Sequence, residues 1–298
     1  MGGADSRRVS SALLMATLDV PQEYLELAPL VVTSPTTRCG TTLVQRLISS
    51  SDNAFVYGED IGHQIHRLTE QFLAVMRHCD QNRDTLDEDF HRALAGTLNE
   101  WRPGLAPPAG VMLKAWVSTY YQLPATLAGF GQAMGRPIWG FKWPGVPEAG
   151  LRAIQLLMPR ARIVYLVRHP ADALKSAKAR KFVKTAEDAD AYCRAWAANL
   201  RAARTLRDDP RMLWMRYEDL LADKAGAVAR LSAFAALTGV RMEVFEVKLN
   251  TFAGDPDQGH SPTQYIAPAR LTAADREAVD RHAGALIDEL YADLGRAR

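Results

Sequence analysis

One stretch constrains the fold more than any other: Leu30-Val31-Val32-Thr33-Ser34-Pro35-Thr36-Thr37-Arg38-Cys39-Gly40-Thr41-Thr42-Leu43-Val44-Gln45-Arg46-Leu47. A β-branched apolar run stops at Pro35 and crosses a short polar turn. It re-enters as a helical pattern, with Leu43, Leu47 and Ile48 on one face. Strand, tight turn and helix N-terminus together make an anion cradle, because the turn's backbone N–H groups and the positive end of the helix dipole converge on one point. Gly40 lets backbone approach a ligand closely, Thr41 and Thr42 add hydroxyls, and Arg38 adds a permanent charge. The loop is not a Walker A loop, since no Lys precedes Thr41. The pattern points to a phosphorylated nucleotide bound without the Lys-plus-metal apparatus of an ATPase.

Short buried strands alternate with longer helices along the chain, which predicts an α/β fold: three layers, P-loop type, with helices on both faces of a mostly parallel central sheet. Strands are expected at 30–34, 137–142, 162–167 and 212–216, and helices near 147–158, 170–182, 186–207, 223–237 and 272–293, the last capped by Thr272. Residues 63–135 read as a helical insertion between the first two of these strands, broken by the Pro- and Gly-rich segment 102–110. The whole chain, 1–298, is expected to form one domain. A net charge of +2 argues against a nucleic-acid surface yet allows a local basic pocket. Three scattered cysteines, Cys39, Cys79 and Cys193, fit a reducing compartment and have no metal-ligand spacing. No stretch is long enough to span a membrane, and Ser10–Leu18 is a poor signal peptide, read as a helix packed on the domain. A cytoplasmic protein is expected, with a homodimer allowed.

A second stretch makes the first specific. Arg162-Ile163-Val164-Tyr165-Leu166-Val167 is a continuous apolar run that suits a buried parallel strand. It ends in Arg168-His169-Pro170, where Pro170 suits a helix start, and Ser176 follows two turns later. The pair formed by Arg38-Cys39-Gly40-Thr41-Thr42 and Arg168…Ser176 closely resembles the two nucleotide signatures of sulfotransferases that use 3′-phosphoadenosine 5′-phosphosulfate (PAPS). The resemblance covers roughly 29–60 and 137–235. It implies that the first loop holds the 5′-phosphosulfate and that Arg168 and Ser176 hold the 3′-phosphate. It also implies sulfuryl transfer to a hydroxyl of a small molecule, such as a natural product or lipid, with PAPS as co-substrate and no metal.

In-line sulfuryl transfer needs positioning, electrostatic stabilisation and a base. Arg38 can reach the 5′-phosphate and the bridging oxygen. Cys39 stands where the family commonly has Ser, and its backbone N–H can still serve. Lys142, at the end of Gly140-Phe141-Lys142, matches a Lys that stabilises the transferring group in tyrosylprotein-type and related bacterial sulfotransferases. Val56-Tyr57-Gly58-Glu59-Asp60 resembles the tyrosylprotein-type stretch that carries the catalytic glutamate. Its register leaves two acids open, Glu59 being preferred and Asp60 the alternative base. His63, on what reads as a short helix with His66, is held in reserve. Tyr217, after the strand at 212–216, either flanks adenine or packs locally. Glu218 and Asp219 read as the start of the next helix.

Towards the C-terminus the match departs from the family. No Arg-Lys-Gly triplet is present, and in Thr263-Gln264-Tyr265-Ile266-Ala267-Pro268 Ala267 stands where a nucleotide-binding Lys is expected. Arg180, Lys181 or Lys184 are the candidates to supply that contact, and 254–268 reads as a mobile lid. The insertion 63–135, with Phe72, Met76, Trp101, Trp116, Tyr120 and Tyr121, is expected to build part of the acceptor pocket. Three other readings stand beside this one: a peptide sulfotransferase of the tyrosylprotein type, a P-loop nucleotide kinase, and a degenerate nucleotide-binding module.

Overall fold

The computed structural model describes residues 18–97, 99, 101, 105–247, 249 and 269–291. Ten helices are labelled in chain order here: α1 (Gln22–Leu25), α2 (Thr41–Ser50), α3 (Glu59–Leu94), α4 (Ala109–Ala133), α5 (Glu148–Leu157), α6 (Pro170–Ala179), α7 (Ala186–Ala203), α8 (Tyr217–Ala222), α9 (Lys224–Ala235) and α10 (Ala273–Leu290). The strands are β1 (Leu30–Thr33), β2 (Ala54–Tyr57), β3 (Ile138–Lys142), β4 (Arg162–Val167) and β5 (Met212–Arg216). They form one sheet of order β2-β3-β1-β4-β5, every pair parallel.

Strand periodicity explains the layers. Val31, Phe141, Ile163, Tyr165 and Val167 point to one face, where they join Ile65 and Phe72 of α3, Tyr120 of α4, Leu151 of α5, Trp196 of α7 and Leu286 of α10. Leu30, Val32, Val56, Val164 and Leu166 point to the other, against Val44, Leu47 and Ile48 of α2 and Leu231 of α9. A two-residue period with both faces covered is the pattern of a buried parallel sheet. This is the three-layer α/β arrangement of P-loop type that the sequence predicts.

The four expected strands appear within a residue of their predicted spans, and β2 is an addition. It sits at the sheet edge, only four residues long, with Ala54 and Val56 buried and Phe55 exposed. The helical insertion begins at Glu59 rather than 63, and α3 is two helical arms joined at a kink at Asn82, so His63 and His66 lie on a first arm that runs from Glu59 to that kink and not on a short helix. α3 ends at Leu94, and α4 restarts after Pro108 at Ala109, whose N–H donates to Asp87 Oδ1 at 2.8 Å. Of the segment read as an N-terminal helix only Leu18 is among the described residues, and it is buried. The segment read as a lid lies outside the described residues.

Candidate functional site

Strand order decides where a ligand can enter. The chain leaves β1 for the edge strand β2 on one side, and leaves β4 for β5 on the other. In such sheets a crevice opens at the C-terminal ends of the two diverging strands. Here those ends carry the loop 34–40 and the corner at Arg168.

The loop after β1 is tightly held from behind. α7 presents Tyr192, Trp196 and Asn199 on one face, spaced i, i+4, i+7. Tyr192 Oη donates to Thr37 O at 2.6 Å, Asn199 Nδ2 to Pro35 O at 2.8 Å, and Trp196 Nε1 to Arg168 O at 3.2 Å. Arg38 and Gly40 both take left-handed backbone, with φ of 69° and 97°. Gly40 is the N-cap of α2 and supplies no side-chain cap; its carbonyl accepts from Leu43 N at 2.9 Å, which leaves the N–H groups of Thr41 and Thr42 for another acceptor. A β-carbon at Gly40 would lie 2.4 Å from Tyr217 Cδ2. Cys39 is fully buried, 3.7 Å from Thr36 Oγ1. Burial pushes its thiol up, which keeps it protonated and poorly nucleophilic.

Several sequence candidates meet here. Arg38 Nε donates to Ser176 Oγ at 3.1 Å, which joins the first loop to α6. Arg168 is only 7% exposed; its Nη1 donates to Arg38 O at 3.1 Å, and its guanidinium lies 4.5 Å from the Tyr217 ring centroid. Arg168 Nε is buried with no hydrogen-bond partner among the described residues. A buried cationic donor left unmade costs free energy unless something accepts from it. Burial pushes the Tyr217 hydroxyl up, against the pull of Arg168. The ring packs between Gly40 and Arg168.

On the other side of the loop, Lys142 ends β3 with its side chain 9% exposed. Its Nζ lies 2.9 Å from Thr42 Oγ1 and 2.9 Å from Glu59 Oε1. Glu59 opens α3 and is partly exposed, so its carboxylate meets both the lysine and solvent. Gly62, one turn on, lets the helix touch the end of β3: a β-carbon there would sit 2.7 Å from Lys142 O and 2.8 Å from Trp143 Cβ. Asp60 and His63 are exposed on the same two turns. His66 stacks obliquely on Trp143, with centroids 4.3 Å apart, and pairs with Glu70 at 3.3 Å.

Other residues proved to brace the site without having been singled out from sequence. Tyr192, Trp196 and Asn199 are one set, and their polar-tipped spacing on an apolar helix face was the available signal. Glu218 is another: its Oε1 accepts from His169 N at 2.9 Å. Burial pushes this carboxyl up, while the His169 N–H and the Arg168 charge oppose the shift. Phe182 is 61% exposed and stands beside Arg38, 5.8 Å from guanidinium to ring. Lys181 and Lys184 are exposed on the same turn. Of the insertion's aromatics, Phe72, Tyr120 and Tyr121 are core, Trp116 is half-buried and Trp101 is exposed.

A model of the sulfotransferase family matches residues 29–240. No curated protein matches the chain. Among solved structures it is similar to the sulfotransferase domain from the Synechococcus PCC 7002 olefin synthase, at 17% identity and TM-score 0.47 over 86% of this chain and 94% of that one. It is similar also to a sulfotransferase from Alicyclobacillus acidocaldarius, at 13% identity and TM-score 0.48 over 91% and 97%. A third is retinol dehydratase in complex with androsterone and inactive cofactor PAP, at 17% identity and TM-score 0.41 over 94% and 84%.

Proposed function

Because the chain belongs to the sulfotransferase family, we propose that it binds PAPS in the β1–β4 crevice and passes the sulfuryl group to a hydroxyl of a small-molecule acceptor. One observation carries the reading. The Arg38–Ser176 contact, the buried Arg168 guanidinium with its unmade Nε, and the Lys142–Glu59 pair all stand at one edge of one sheet. That set suits a donor with phosphate at both ends.

PAPS supplies the activated sulfuryl group; the chain supplies charge, orientation and a proton acceptor. Arg38, the N–H groups at Cys39 and Gly40, and the hydroxyls of Thr41 and Thr42 hold the 5′ end against the positive terminus of α2. Arg168 and Ser176 hold the 3′-phosphate. Tyr217 keeps the Arg168 guanidinium flat by stacking under it. Lys142 is poised to neutralise charge on the group in transit, and Thr42 orients its ammonium.

Glu59 is the base. Its longer side chain reaches Lys142, while Asp60 projects into solvent from the next position. It takes the acceptor's hydroxyl proton on a carboxylate oxygen as the new S–O bond forms and the bond from sulfur to the bridging 5′-phosphate oxygen breaks, the electron pair leaving with 3′-phosphoadenosine 5′-phosphate. The α3–α4 hairpin, which begins at Glu59, is assigned to the acceptor side of the site. The remaining cation for the donor is assigned to Arg180, Lys181 or Lys184. Free thiols at Cys39, Cys79 and Cys193 fit a reducing compartment, and the protein is assigned to the cytoplasm.

Calorimetry with 3′-phosphoadenosine 5′-phosphate (PAP), AMP and ATP tests the donor site. Wild type is expected to bind PAP well above AMP. Arg168→Ala is expected to erase that preference, at about 1.5–3 kcal/mol for a lost charge-assisted contact. Tighter binding of ATP with Mg²⁺ than of PAP would overturn the reading in favour of a nucleotide kinase.

A further inference from the structure

Glu218 sits in the first turn of α8, where an acidic residue ordinarily faces solvent and complements the helix dipole. This one turns inward instead. Its Oε1 accepts from His169 N at 2.9 Å, across the start of α6. The peptide that links Arg168 to His169 is thereby pinned on both sides, because Arg168 O accepts from Trp196 Nε1 at 3.2 Å. Beyond that peptide the guanidinium is held at two further points, the Tyr217 ring below it and Arg38 O in front. The groups that face Glu218 are Arg168 and His169 at the strand end, Asp172 on α6 and Tyr291 at the end of α10. None of them is a solvent-exposed counter-ion.

From this arrangement we infer that Glu218 is a positioning residue for recognition of the 3′-phosphate, acting through Arg168 by holding the His169 N–H. The inference rests on the assignment of Arg168 to that phosphate. An arginine with several rotatable bonds recognises an anion cheaply only if its backbone and fork are already set when the ligand arrives. Without an acceptor for the His169 N–H, the corner at Arg168 relaxes to satisfy that donor elsewhere. The binding-competent corner then becomes a fraction of the population, and affinity falls by that fraction. What Glu218 contributes in this account is an acceptor atom and not its charge.

Two substitutions separate those roles. Glu218→Gln keeps a carbonyl oxygen for the His169 N–H and removes the charge; Glu218→Ala removes both. Calorimetry with PAP and AMP on each variant reads the preference for the 3′-phosphate. We expect Glu218→Gln to stay within roughly twofold of wild type in PAP affinity, and Glu218→Ala to lose roughly tenfold. AMP affinity should hold in both. Glu218→Asp, whose carboxylate is drawn back by one methylene, should fall between them; it also serves if the alanine variant does not fold. An unchanged PAP-to-AMP ratio in Glu218→Ala or Glu218→Asp overturns the positioning role. A Glu218→Gln variant as weak as Glu218→Ala replaces it with a charge role. Equal loss for PAP and AMP marks the residue as merely structural. If wild type itself does not prefer PAP, the assignment of Arg168 falls first and this inference with it.

Discussion

Gly40 carries a φ of 97° beside the flat of Tyr217, and no other residue type can meet both demands. An added methyl would be strained in the backbone and would collide with the ring at 2.4 Å. Gly40→Ala is therefore expected to cost about 2 kcal/mol or more of stability in urea unfolding, and to weaken PAP binding further by displacing Tyr217 from under Arg168. An alanine variant with wild-type stability and affinity would show that the loop relaxes freely. Single residues were legible in the sequence where their chemistry had one plausible use: Arg38, Arg168 and Ser176 lie together at the crevice. Tyr217 reads from sequence as either an adenine flank or local packing, and in the fold its ring lies against Gly40 and under Arg168. Glu218 and Asn199 could not be found this way, since their partners are backbone groups more than forty positions away in the chain.

At the scale of elements, α10 is fastened to α6 by an ion pair that the fold buries. Lys178 Nζ lies 2.5 Å from Asp275 Oδ2, and Asp275 is fully buried. The same carboxylate closes the capping box of α10 by accepting from Thr272 N at 2.7 Å. Burial pushes the Asp275 carboxyl up, but the Lys178 ammonium and the Thr272 hydrogen bonds outweigh it and leave it below its ordinary value. A carboxyl lowered on folding stabilises the protein above its unfolded pKa, and that contribution is lost as pH falls through the folded value. Asp275→Ala should thus cost about 2–3 kcal/mol near neutral pH, and the gap to wild type should close under acid. Urea unfolding at two pH values checks it, and a gap independent of pH would locate the loss in the cap alone. Thr272 was legible as a cap because capping is local. β2 escaped notice because four residues, of which only Ala54 and Val56 are buried, carry too little pattern, and its pairing with β3 is long-range. The extent of α3 to either side of its kink at Asn82 was hidden for a related reason, since its buried positions pack against α4.

For the molecule as a whole, the proposed donor site joins β1, β3, β4, α2, α3, α6 and α8 at the C-terminal edge of the sheet. A ligand that binds there and not to the unfolded chain must stabilise all of them together. PAP at a hundredfold excess over its Kd should add about 2.7 kcal/mol, seen as a rise of several degrees in Tm, and AMP at the same concentration should add less. Equal shifts for the two would separate the fold from recognition of the 3′-phosphate. Local order in the chain was enough to determine the parallel α/β layers, the polar loop after β1 and the helix start that follows Arg168. Each of these is written in contiguous residues, by a two-residue or 3.6-residue period, a breaker or a helix start. What only the tertiary structure decided is which of these pieces touch. Lys142 meets Glu59 and Thr42, Arg38 meets Ser176, and Glu218 meets the peptide after Arg168. Those contacts depend on strand order and on how closely helices pack at Gly40 and Gly62, and neither is recorded in any short window of sequence.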